Sequence, residues 1–544
     1  MICQLKKYET PKEKRRGSVG KSTKMDFVPV YLILVILFHP TMSQFDTSMS
    51  EDRRVIVHLF EWPFDAIKEE CKNVLGPQKF GGVLVAPIAE HLLVKSSEGV
   101  RRPWWEIYQP LSWNIQTRKG NEEQFKEMVE VCNKNNVRVY VDAVFNHAVG
   151  RAWGRDTGDV VGVGGTHANT KTENYPGLGY TEANFHKPCQ MNFNDKTSVR
   201  NCELGDLEDV NQTIPYVQDK IATFLNRQLD FGVAGFRLDA AKHMWPEDLR
   251  KIYGMLKNVS VNGVQSKGCI WMLEVIDDNG EYQEDYKNLG AEYDFECLKP
   301  ITQVFKKGES SMSNINNCAK YPRYLSQKVV ALTANQDTQR SAWPNGFSNS
   351  DSNGIQRGMD AFILAYTKEI PNLFSGYSYT NTNSGPPMDD SERIISPLNC
   401  TNGWTCEHRF PPHQWIVKFF TNYVQDAPVE NWQSNWDDGT ELQAAFTRGK
   451  KGFAVFNADT KTLKHTFKVP LSPGVYCDLA TGYYSPEHQT CRGTSGLTSR
   501  KVEVKSDGTV EVSLPGMARS SSVNLRDAVA EPAYLVISDR SKII

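Results

Sequence analysis

The chain has 544 residues, of which 40% are hydrophobic and 23% are charged. This composition is typical of a folded globular protein, and it excludes collagen-like, low-complexity and fully disordered chains. The 62 Lys and Arg nearly balance the 64 Asp and Glu, so no overall positive field attracts nucleic acid or an anionic membrane.

The first 44 residues are predicted to be a signal peptide and leader. An apolar run at 27–38 follows a stretch rich in Lys and Arg, and it is shorter than the roughly 20 residues that cross a membrane. A signal anchor is the alternative. The twelve Cys form no CxxC pair and no zinc-type cluster, which favours disulfide bonds in an oxidising compartment. We therefore expect a secreted, extracellular protein that has no membrane contact after signal removal.

From about residue 54, short apolar runs typical of strands alternate with helical patterns. Strands are predicted at 55–60, 82–87, 137–145, 235–238, 269–275, 293–297, 329–333 and 373–377. Helices are predicted between them, among others at 122–133, 214–229 and 246–256. Eight strands alternating with helices predict an α/β fold, a (β/α)8 TIM barrel. A doubly wound open sheet is the alternative, but no GxGxxG turn follows the first strand.

Two further parts accompany the barrel. A stretch of roughly 65 residues after the third strand is rich in Gly, Asn, Thr and Asp, and a loop of that length usually is functional or forms a small domain. After about residue 438, short strand-like runs replace the helical periodicity. The predicted division is a leader at 1–44, a first barrel part at 45–145, an inserted subdomain at 146–210, a second barrel part at 211–438 and a C-terminal antiparallel β-sandwich domain at 439–544.

Three carboxylates follow predicted strands, where the active site of a barrel lies. They are Asp239, Glu274 and Asp337. Glycoside hydrolysis uses one protonated and one ionised carboxyl group. Arg237 shares a strand face with Asp239 and favours its ionised form, whereas the apolar residues at 271–273 favour a protonated Glu274. The structural alternative is that each acid caps a helix or pairs with an arginine.

Aromatic residues follow the second predicted strand in the segment RPWWEIYQP. It contains Trp104, Trp105 and Tyr108. Two adjacent tryptophans cannot both enter one core from a strand, so at least one is expected to line a cleft. A tryptophan corner packed beneath a loop is the alternative. Together with the carboxylates, these rings favour a carbohydrate-binding cleft.

Several motifs together resemble the animal-type α-amylases, a family of retaining α-glucan glycoside hydrolases. The motifs are HLFEW (58–62), FGGV (80–83), RPWWEIYQP (102–110), VYVDAVFNH (139–147), GVAGFRLDAAKHMWP (232–246), EVID (274–277) and CEHR (406–409). The resemblance implies a monomeric, endo-acting hydrolase of α-1,4 bonds in starch or glycogen. It also implies a barrel with an inserted calcium-binding subdomain and a β-sandwich tail.

The resemblance also implies residue roles. Asp239 matches the nucleophile, Glu274 the general acid/base and Asp337 the acid that binds sugar hydroxyls. Substrate-binding positions match Trp104, Trp105, Tyr108, Gln109, His147, Arg237, Lys242, His243 and Gln336. The oxygen ligands of calcium match the side chains of Asn146 and Asp209 and the carbonyls of Arg200 and His243. Family disulfide positions match Cys71 with Cys132, Cys189 with Cys202, Cys400 with Cys406 and Cys477 with Cys491, which leaves Cys269, Cys297 and Cys318 without an assigned partner.

The chain departs from the family at TANQD, 333–337, where Gln336 replaces a sugar-binding histidine. We expect this change to remove about 1–3 kcal/mol of transition-state binding. Arg237 and Asn335 match two ligands of the family's chloride ion, but the second arginine position falls near Gly376. An anion held by one arginine binds weakly, so we expect little chloride activation. A catalytically weakened carbohydrate-binding paralogue is the alternative function.

Overall fold

The structure is a computed structural model, and it describes residues 43–151, 157–266, 268–276, 282–318, 328–340, 354–434, 436, 439–493, 498–517 and 531–543. The predicted signal sequence at 27–38 and Cys3 lie outside these residues. None of the described helices combines the length and the apolar character that crossing a membrane requires.

Eight parallel strands form a closed barrel. They are β1 (Ile56–Leu59), β2 (Gly82–Val85), β3 (Arg138–Ala143), β4 (Gly235–Leu238), β5 (Ile270–Leu273), β6 (Ala291–Tyr293), β7 (Val329–Leu332) and β8 (Ile370–Ser375). Each strand pairs with the next along the chain, and β8 pairs with β1 through Ile56 opposite Asn372. The predicted barrel is confirmed, and the alternative of an open sheet is wrong.

The α-helices connect the strands and continue into the C-terminal region. They are α1 (Phe64–Glu70), α2 (Glu122–Lys134), α3 (Lys196–Asn201), α4 (Pro215–Asp230), α5 (Pro246–Gly254), α6 (Gln283–Tyr286), α7 (Phe295–Thr302), α8 (Met312–Cys318), α9 (Ile355–Tyr366), α10 (Pro411–Ile416) and α11 (Asn422–Val424). Helix α2 shows why they form where the pattern predicts. The Asn121 side chain accepts from the Gln124 N–H, and Gln124 returns a bond to the Asn121 N–H, which forms a capping box. Its face with Phe125, Met128 and Val129 is buried.

Two strands are displaced from their predicted positions. Strand β6 ends at Tyr293 because the Asp294 side chain accepts a 2.9 Å hydrogen bond from the Cys297 N–H and begins α7. Strand β8 begins at Ile370 and not at 373. Pro371 and Asn372 are poor strand formers, but pairing with both β7 and β1 holds them in the barrel.

The predicted insert lies between β3 and α4. Its two ends meet, because His147–Ala148 pairs with Glu208–Asp209. A second small antiparallel pair joins Asp159–Val161 to His167–Asn169. The insert therefore begins and ends beside the carboxyl end of β3.

The C-terminal region is antiparallel throughout its described strands. A four-stranded sheet has the order Val429–Gln433, Gln443–Arg448, Gly452–Asn457 and Tyr534–Ser538. Further pairs are Leu463–Lys468 with Thr509–Leu514, Gly474–Cys477 with Lys501–Val504, and Tyr483–Ser485 with Thr490–Arg492. The sheet thus begins at Val429, ahead of residue 439. Buried Arg448 donates to the carbonyl oxygens of Ala365 and Ala427, which ties this sheet to the helices that follow the barrel strands.

Five disulfide bonds are present in the described residues. Four are the pairs that the family resemblance implies, and these predictions are confirmed. The fifth joins Cys297 to Cys318, for which the resemblance supplies no partner, and it links α7 to α8. Cys269 is a free, buried thiol, and burial raises its pKa to about 12.

Candidate active site

The three predicted catalytic acids come together in one cleft of about 380 Å³. Asp239 directly follows β4, Glu274 directly follows β5, and Asp337 lies in the loop after β7. Carboxyl ends of parallel barrel strands share one rim, which explains why acids distant in sequence converge. The cleft is lined by Trp104, Trp105, Tyr108, His147, Phe193, Leu204, Leu207, Asp239, Ala240, Lys242, His243, Glu274, Ile276, Gln336 and Asp337.

Arg237 contacts two of these acids, Asp239 and Glu274, and a further carboxylate, Asp142. Its Nη1 lies 2.5 Å from Asp142 Oδ1 and 3.0 Å from Asp239 Oδ1. Its Nη2 lies 2.6 Å from Glu274 Oε1. The predicted pairing of Arg237 with Asp239 is present. Because strands β3, β4 and β5 are neighbours, the same buried guanidinium also contacts Asp142 and Glu274.

The second oxygen of Glu274 is also held. Its Oε2 accepts a 2.9 Å hydrogen bond from the Ala240 N–H. Ala240 has a positive φ of 49°, which turns its N–H toward the carboxyl. Glu274 therefore has polar surroundings, and the expectation that residues 271–273 surround it with apolar side chains is wrong. Those residues belong to β5, whereas the Glu274 carboxyl extends past the strand into the cleft.

Burial and the charge of Glu274 raise the pKa of Asp239 well above its usual value, although Arg237 acts in the opposite direction. Burial and Glu274 also raise the pKa of Asp337 to about 7, against the effect of Arg237 and Arg340. Carboxyls this close in a low-dielectric site share protons, so they titrate as a set. The charge of one acid therefore opposes ionisation of its neighbours.

One side of the cleft, here called the aromatic wall, is the 3₁₀ turn Trp104–Tyr108. A buried ion pair stabilises this turn. Arg102 donates from Nη2 to Glu106 Oε1 at 2.7 Å, and both side chains are buried. Trp104 and Trp105 are half-buried and line the cleft, which is the arrangement expected for a carbohydrate site. The Tyr108 hydroxyl donates to Asp142 Oδ2 at 2.9 Å, so this wall is joined to the carboxylate cluster.

Four further predicted substrate residues line the cleft, namely His147, Lys242, His243 and Gln336. Burial lowers the pKa of His147 to about 4, so its ring is neutral, and its Nε2 lies 2.9 Å from the Tyr108 carbonyl oxygen. The Lys242 ammonium donates to the Ile276 carbonyl oxygen at 2.9 Å. Gln109 does not line the cleft, contrary to the prediction, because its Oε1 accepts from the backbone N–H of Gly150 in the insert.

Gln336 is fixed from two sides. Its side-chain Nε2 donates to Asp337 Oδ2 at 3.1 Å, and its backbone carbonyl oxygen accepts from Arg340 Nη1 at 3.0 Å. The Arg340 guanidinium lies between 4.6 and 5.4 Å from the ring centres of Phe60, Trp104, Tyr377 and Tyr379. This cation–π cluster connects the Gln336 turn to the aromatic wall.

The four predicted calcium ligands lie in the insert and in the loop after β4. Asn146 is fully buried, and its Oδ1 has no hydrogen-bond partner among the described residues. Asp209 lies opposite His147, next to Asn146, and burial raises its pKa to about 6. His243 Nδ1 lies 2.9 Å from the carbonyl oxygen of Val199, the residue before Arg200. A buried amide oxygen without a described hydrogen-bond partner and a buried carboxylate are both oxygen ligands of the kind that a hard cation prefers.

Another group of possible ligand atoms lies elsewhere. Asp294, Cys297 and Cys318 are close together and buried. Because the two sulfurs are joined as a disulfide, they are not available as thiolate ligands.

Both predicted chloride ligands have protein partners. Asn335 Oδ1 accepts from the backbone N–H groups of Asp337 and Thr338 at 3.0 and 2.8 Å. Arg237 is surrounded by three carboxylates. Strand β8, which ends at Ser375 just before Gly376, contains no arginine.

Several cleft residues carry only a weak signal in the sequence. Phe193, Leu204 and Leu207 come from the insert, and Ile276 follows Glu274. An aromatic residue isolated in the polar stretch at 189–198 was the available signal for Phe193. The acid in the apolar strand VYVDAVF was the signal for Asp142.

Comparison with known proteins agrees with this geometry. The alpha-amylase catalytic domain family matches residues 112–463, and the alpha-amylase C-terminal all-beta domain family matches residues 433–521. The alpha-amylase of Tribolium castaneum is 36% identical over 494 residues, 89% of this chain and 96% of that protein. The alpha-amylase-related protein of Drosophila pseudoobscura pseudoobscura is 38% identical over 442 residues, 79% of this chain and 86% of that protein.

A solved structure is similar over nearly the same extent. The crystal structure of wild-type alpha-amylase I from the earthworm Eisenia fetida has a TM-score of 0.79 and 31% identity, and it covers 91% of this chain and 99% of that chain. A mutant of the same earthworm enzyme, in a complex with maltohexaose, has a TM-score of 0.78. The family matches, the relatives and the shared architecture agree, and this chain therefore belongs to the alpha-amylase family of glycoside hydrolases.

Proposed function

We propose that the protein is a secreted, endo-acting α-amylase that hydrolyses internal α-1,4 bonds of starch or glycogen with retention of anomeric configuration. The observation that carries this proposal is the contact of Asp239 and Glu274 with one guanidinium, at 3.0 and 2.6 Å, inside a cleft with a tryptophan wall. Two carboxyls so placed reach the same sugar unit.

Glu274 and Asp239 then have separate roles in the reaction. Glu274 protonates the leaving glycosidic oxygen while Asp239 attacks the anomeric carbon and forms a glycosyl-enzyme ester. Glu274, now ionised, removes a proton from water, which attacks the same carbon and releases Asp239. Retaining enzymes hold the two carboxyls about 5 to 5.5 Å apart. A shared arginine supports such a separation and stabilises the nucleophile's charge once the proton resides on Glu274.

Asp337 and the aromatic wall hold the substrate. Trp104 and Trp105 offer apolar ring faces to the pyranose units. Asp337 accepts from sugar hydroxyl groups when it is ionised, and Gln336 holds its Oδ2 by a 3.1 Å bond. These contacts raise the effective concentration of the reacting bond.

We also propose a calcium ion held by Asn146 and Asp209 side chains with the carbonyls of Arg200 and His243. The fit rests on the unpartnered Asn146 Oδ1 and on the buried Asp209 carboxylate. Such an ion would join separate segments of the chain through shared coordination. It would tie the insert to the loop after β4, which carries Asp239.

The alternative is a catalytically weakened carbohydrate-binding paralogue. Gln336 at a histidine position favours it, and relatives named alpha-amylase-related proteins are among the similar chains. The test is reducing-sugar release from soluble starch by the purified protein, with Glu274→Gln as its matched control. We expect release by the wild type and at least about a thousandfold less by the variant. Equal release by both proteins, or by neither, contradicts the proposed hydrolase.

We propose secretion because of the N-terminal leader and the disulfide bonds. Five disulfide bonds in the described residues suit an oxidising compartment. The apolar run at 27–38 supplies the export signal. Detection of the chain in culture medium, with its N-terminus beyond residue 38, is the expected result.

A further inference from the structure

Asp360 is an acid in the buried interior of helix α9. It lies between Met359 and Ala361, and all three residues are fully buried. Burial raises the pKa of Asp360 to about 7. A carboxyl group removed from water destabilises the folded state unless hydrogen bonds compensate, so an acid at this position is costly. The reaction steps proposed above do not use it.

Asp360 accepts two hydrogen bonds through one of its oxygens. The Thr333 hydroxyl and the Gln356 amide both donate to Asp360 Oδ1, the amide at 2.8 Å. Gln356 Nε2 also donates to Thr333 Oγ1 at 2.8 Å, so three buried side chains form a closed ring of hydrogen bonds. Asp360 Oδ2 has no hydrogen-bond partner among the described residues, and His413 Nδ1 lies 4.0 Å from it. The carboxyl therefore serves the ring through Oδ1.

Thr333 is the first residue beyond strand β7. The pairing of β7 with β8 ends at Leu332, which lies opposite Asn372. The Thr333 hydroxyl thus joins the chain to α9 directly after the strand pairing stops. This hydrogen bond holds the chain where it leaves the barrel.

The turn that follows carries Asp337 and is bonded within itself. The Asn335 side chain accepts from the N–H groups of Asp337 and Thr338, and Thr338 Oγ1 accepts from the Asn335 N–H at 2.9 Å. Beyond the turn, Arg340 connects it to the aromatic wall. Ahead of the turn, Thr333 connects it to α9. The turn is therefore a rigid unit that is attached at both of its ends.

We propose that Asp360 is a positioning residue for Asp337, and that Thr333 is the contact through which it acts. The ring of hydrogen bonds sets where the chain leaves β7, and this sets the place of Asp337 in the cleft. The inference rests on the proposed function, in which Asp337 binds sugar hydroxyl groups. Asp360 is not among the described residues that line the cleft, so it acts without touching the sugar. Misplacing a binding group by about 1 Å can lower a rate by a factor of about 100.

Thr333→Val tests this contact with a small change, because valine keeps the branched shape and removes only the hydroxyl. We expect kcat/KM on maltoheptaose to fall about tenfold. Thr333→Ser restores the hydroxyl, and its kcat/KM should stay within about twofold of the wild type. In the Asp337→Asn background, Thr333→Val should lower kcat/KM by less than about twofold, because its effect passes through Asp337.

The acid is tested by two substitutions of different chemistry. Asp360→Asn keeps an oxygen that accepts both hydrogen bonds, so kcat/KM should stay within about threefold of the wild type. Asp360→Val removes the acceptor, and we expect a loss of about tenfold. The double variant with Thr333→Val should lose no more than either single variant, because both remove the same contact. Multiplied losses in the double variant, or a tenfold loss in Asp360→Asn, overturn the role of Asp360 as the acceptor. If Asp360→Val does not fold, Thr333→Val and Thr333→Ser test the same contact with the acid unchanged.

Thr421→Val is the matched control. The Thr421 hydroxyl is buried and donates to the Leu364 carbonyl oxygen of the same helix at 2.9 Å, away from the Asp337 turn. This variant should lower the thermal midpoint as Thr333→Val does, but leave kcat/KM within about twofold of the wild type. Unchanged kcat/KM in Thr333→Val, or an equal loss in Thr421→Val, overturns the positioning role.

Calorimetric titration of maltoheptaose in the Glu274→Gln background repeats the test without turnover. Thr333→Val is expected to weaken binding about fivefold, and Thr421→Val is expected to bind like the background. Equal binding by the two variants contradicts the positioning of Asp337. Absence of wild-type hydrolysis refutes the proposed function instead, since the titration requires no catalysis.

Discussion

Replacing Arg237 by methionine removes a buried cation that contacts three buried carboxylates. Asp142, Asp239 and Glu274 then lose their shared ion pair and keep only hydrogen bonds from neutral donors such as the Tyr108 hydroxyl. Leaving buried charges unpaired costs about 3–5 kcal/mol of unfolding free energy. We expect a loss of about this size at pH 8.

The loss is expected to depend on pH in a defined direction. Burial and mutual repulsion already raise the pKa values of Asp239 and Asp142, and they raise that of Asp337 to about 7. Without Arg237, which lowers all three values, the folded state binds still more protons than the unfolded state above pH 4. Stability then falls as pH rises from 5 to 8. At pH 5 the acids whose pKa is raised bind more protons than at pH 8, so we expect a smaller loss, of about 1–2 kcal/mol.

Urea unfolding followed by tryptophan fluorescence at pH 5 and pH 8 measures both values. Arg393→Met is the matched control, because Arg393 is 80% exposed and pairs with Asp389 at 3.0 Å. Its loss should stay below about 1 kcal/mol at both pH values. An equal loss for Arg237→Met at the two pH values, or a loss below about 1 kcal/mol at pH 8, refutes the reasoning.

Four other predictions concern the cleft, the ions and the fifth disulfide. Gln336→His should raise kcat/KM on maltoheptaose about tenfold, because histidine can donate a charge-assisted hydrogen bond, and an unchanged value contradicts this. Adding chloride to chloride-free protein should change starch cleavage by less than about twofold, and a several-fold rise contradicts the weak anion site. Calcium added after chelation should raise the thermal midpoint of the wild type but not of Asp209→Asn, so equal responses argue against the calcium site. Replacing Cys297 and Cys318 by serine should lower the free energy of unfolding by about 3 kcal/mol in urea titrations, and a loss below about 1 kcal/mol would show that this bond contributes little.

The barrel could be predicted because its signal is local. Apolar runs alternating with helical periodicity mark each unit separately, and strand edges such as Gly235–Leu238 agree with the sequence pattern. Strand β6 was displaced because a single capping residue, Asp294, decides where the chain turns from strand to helix. Such capping competes with strand propensity and cannot be seen in an apolar pattern.

The site was only partly predictable because its contacts are distant in sequence. Asp142 and Arg237 are 95 residues apart, and only the pairing of β3 with β4 joins them. Gln109 occupies a family substrate position, but its side-chain direction depends on Gly150 in the insert. The bond between Cys297 and Cys318 likewise depends on how α7 and α8 pack, which cysteine spacing does not determine.

The most direct test of the account is proton NMR of the first products formed from maltoheptaose, recorded before mutarotation. A nucleophilic Asp239 facing a proton-donating Glu274 predicts the α-anomer as the initial reducing end. Initial formation of the β-anomer would show that water attacks directly, and it would contradict the roles assigned to this pair.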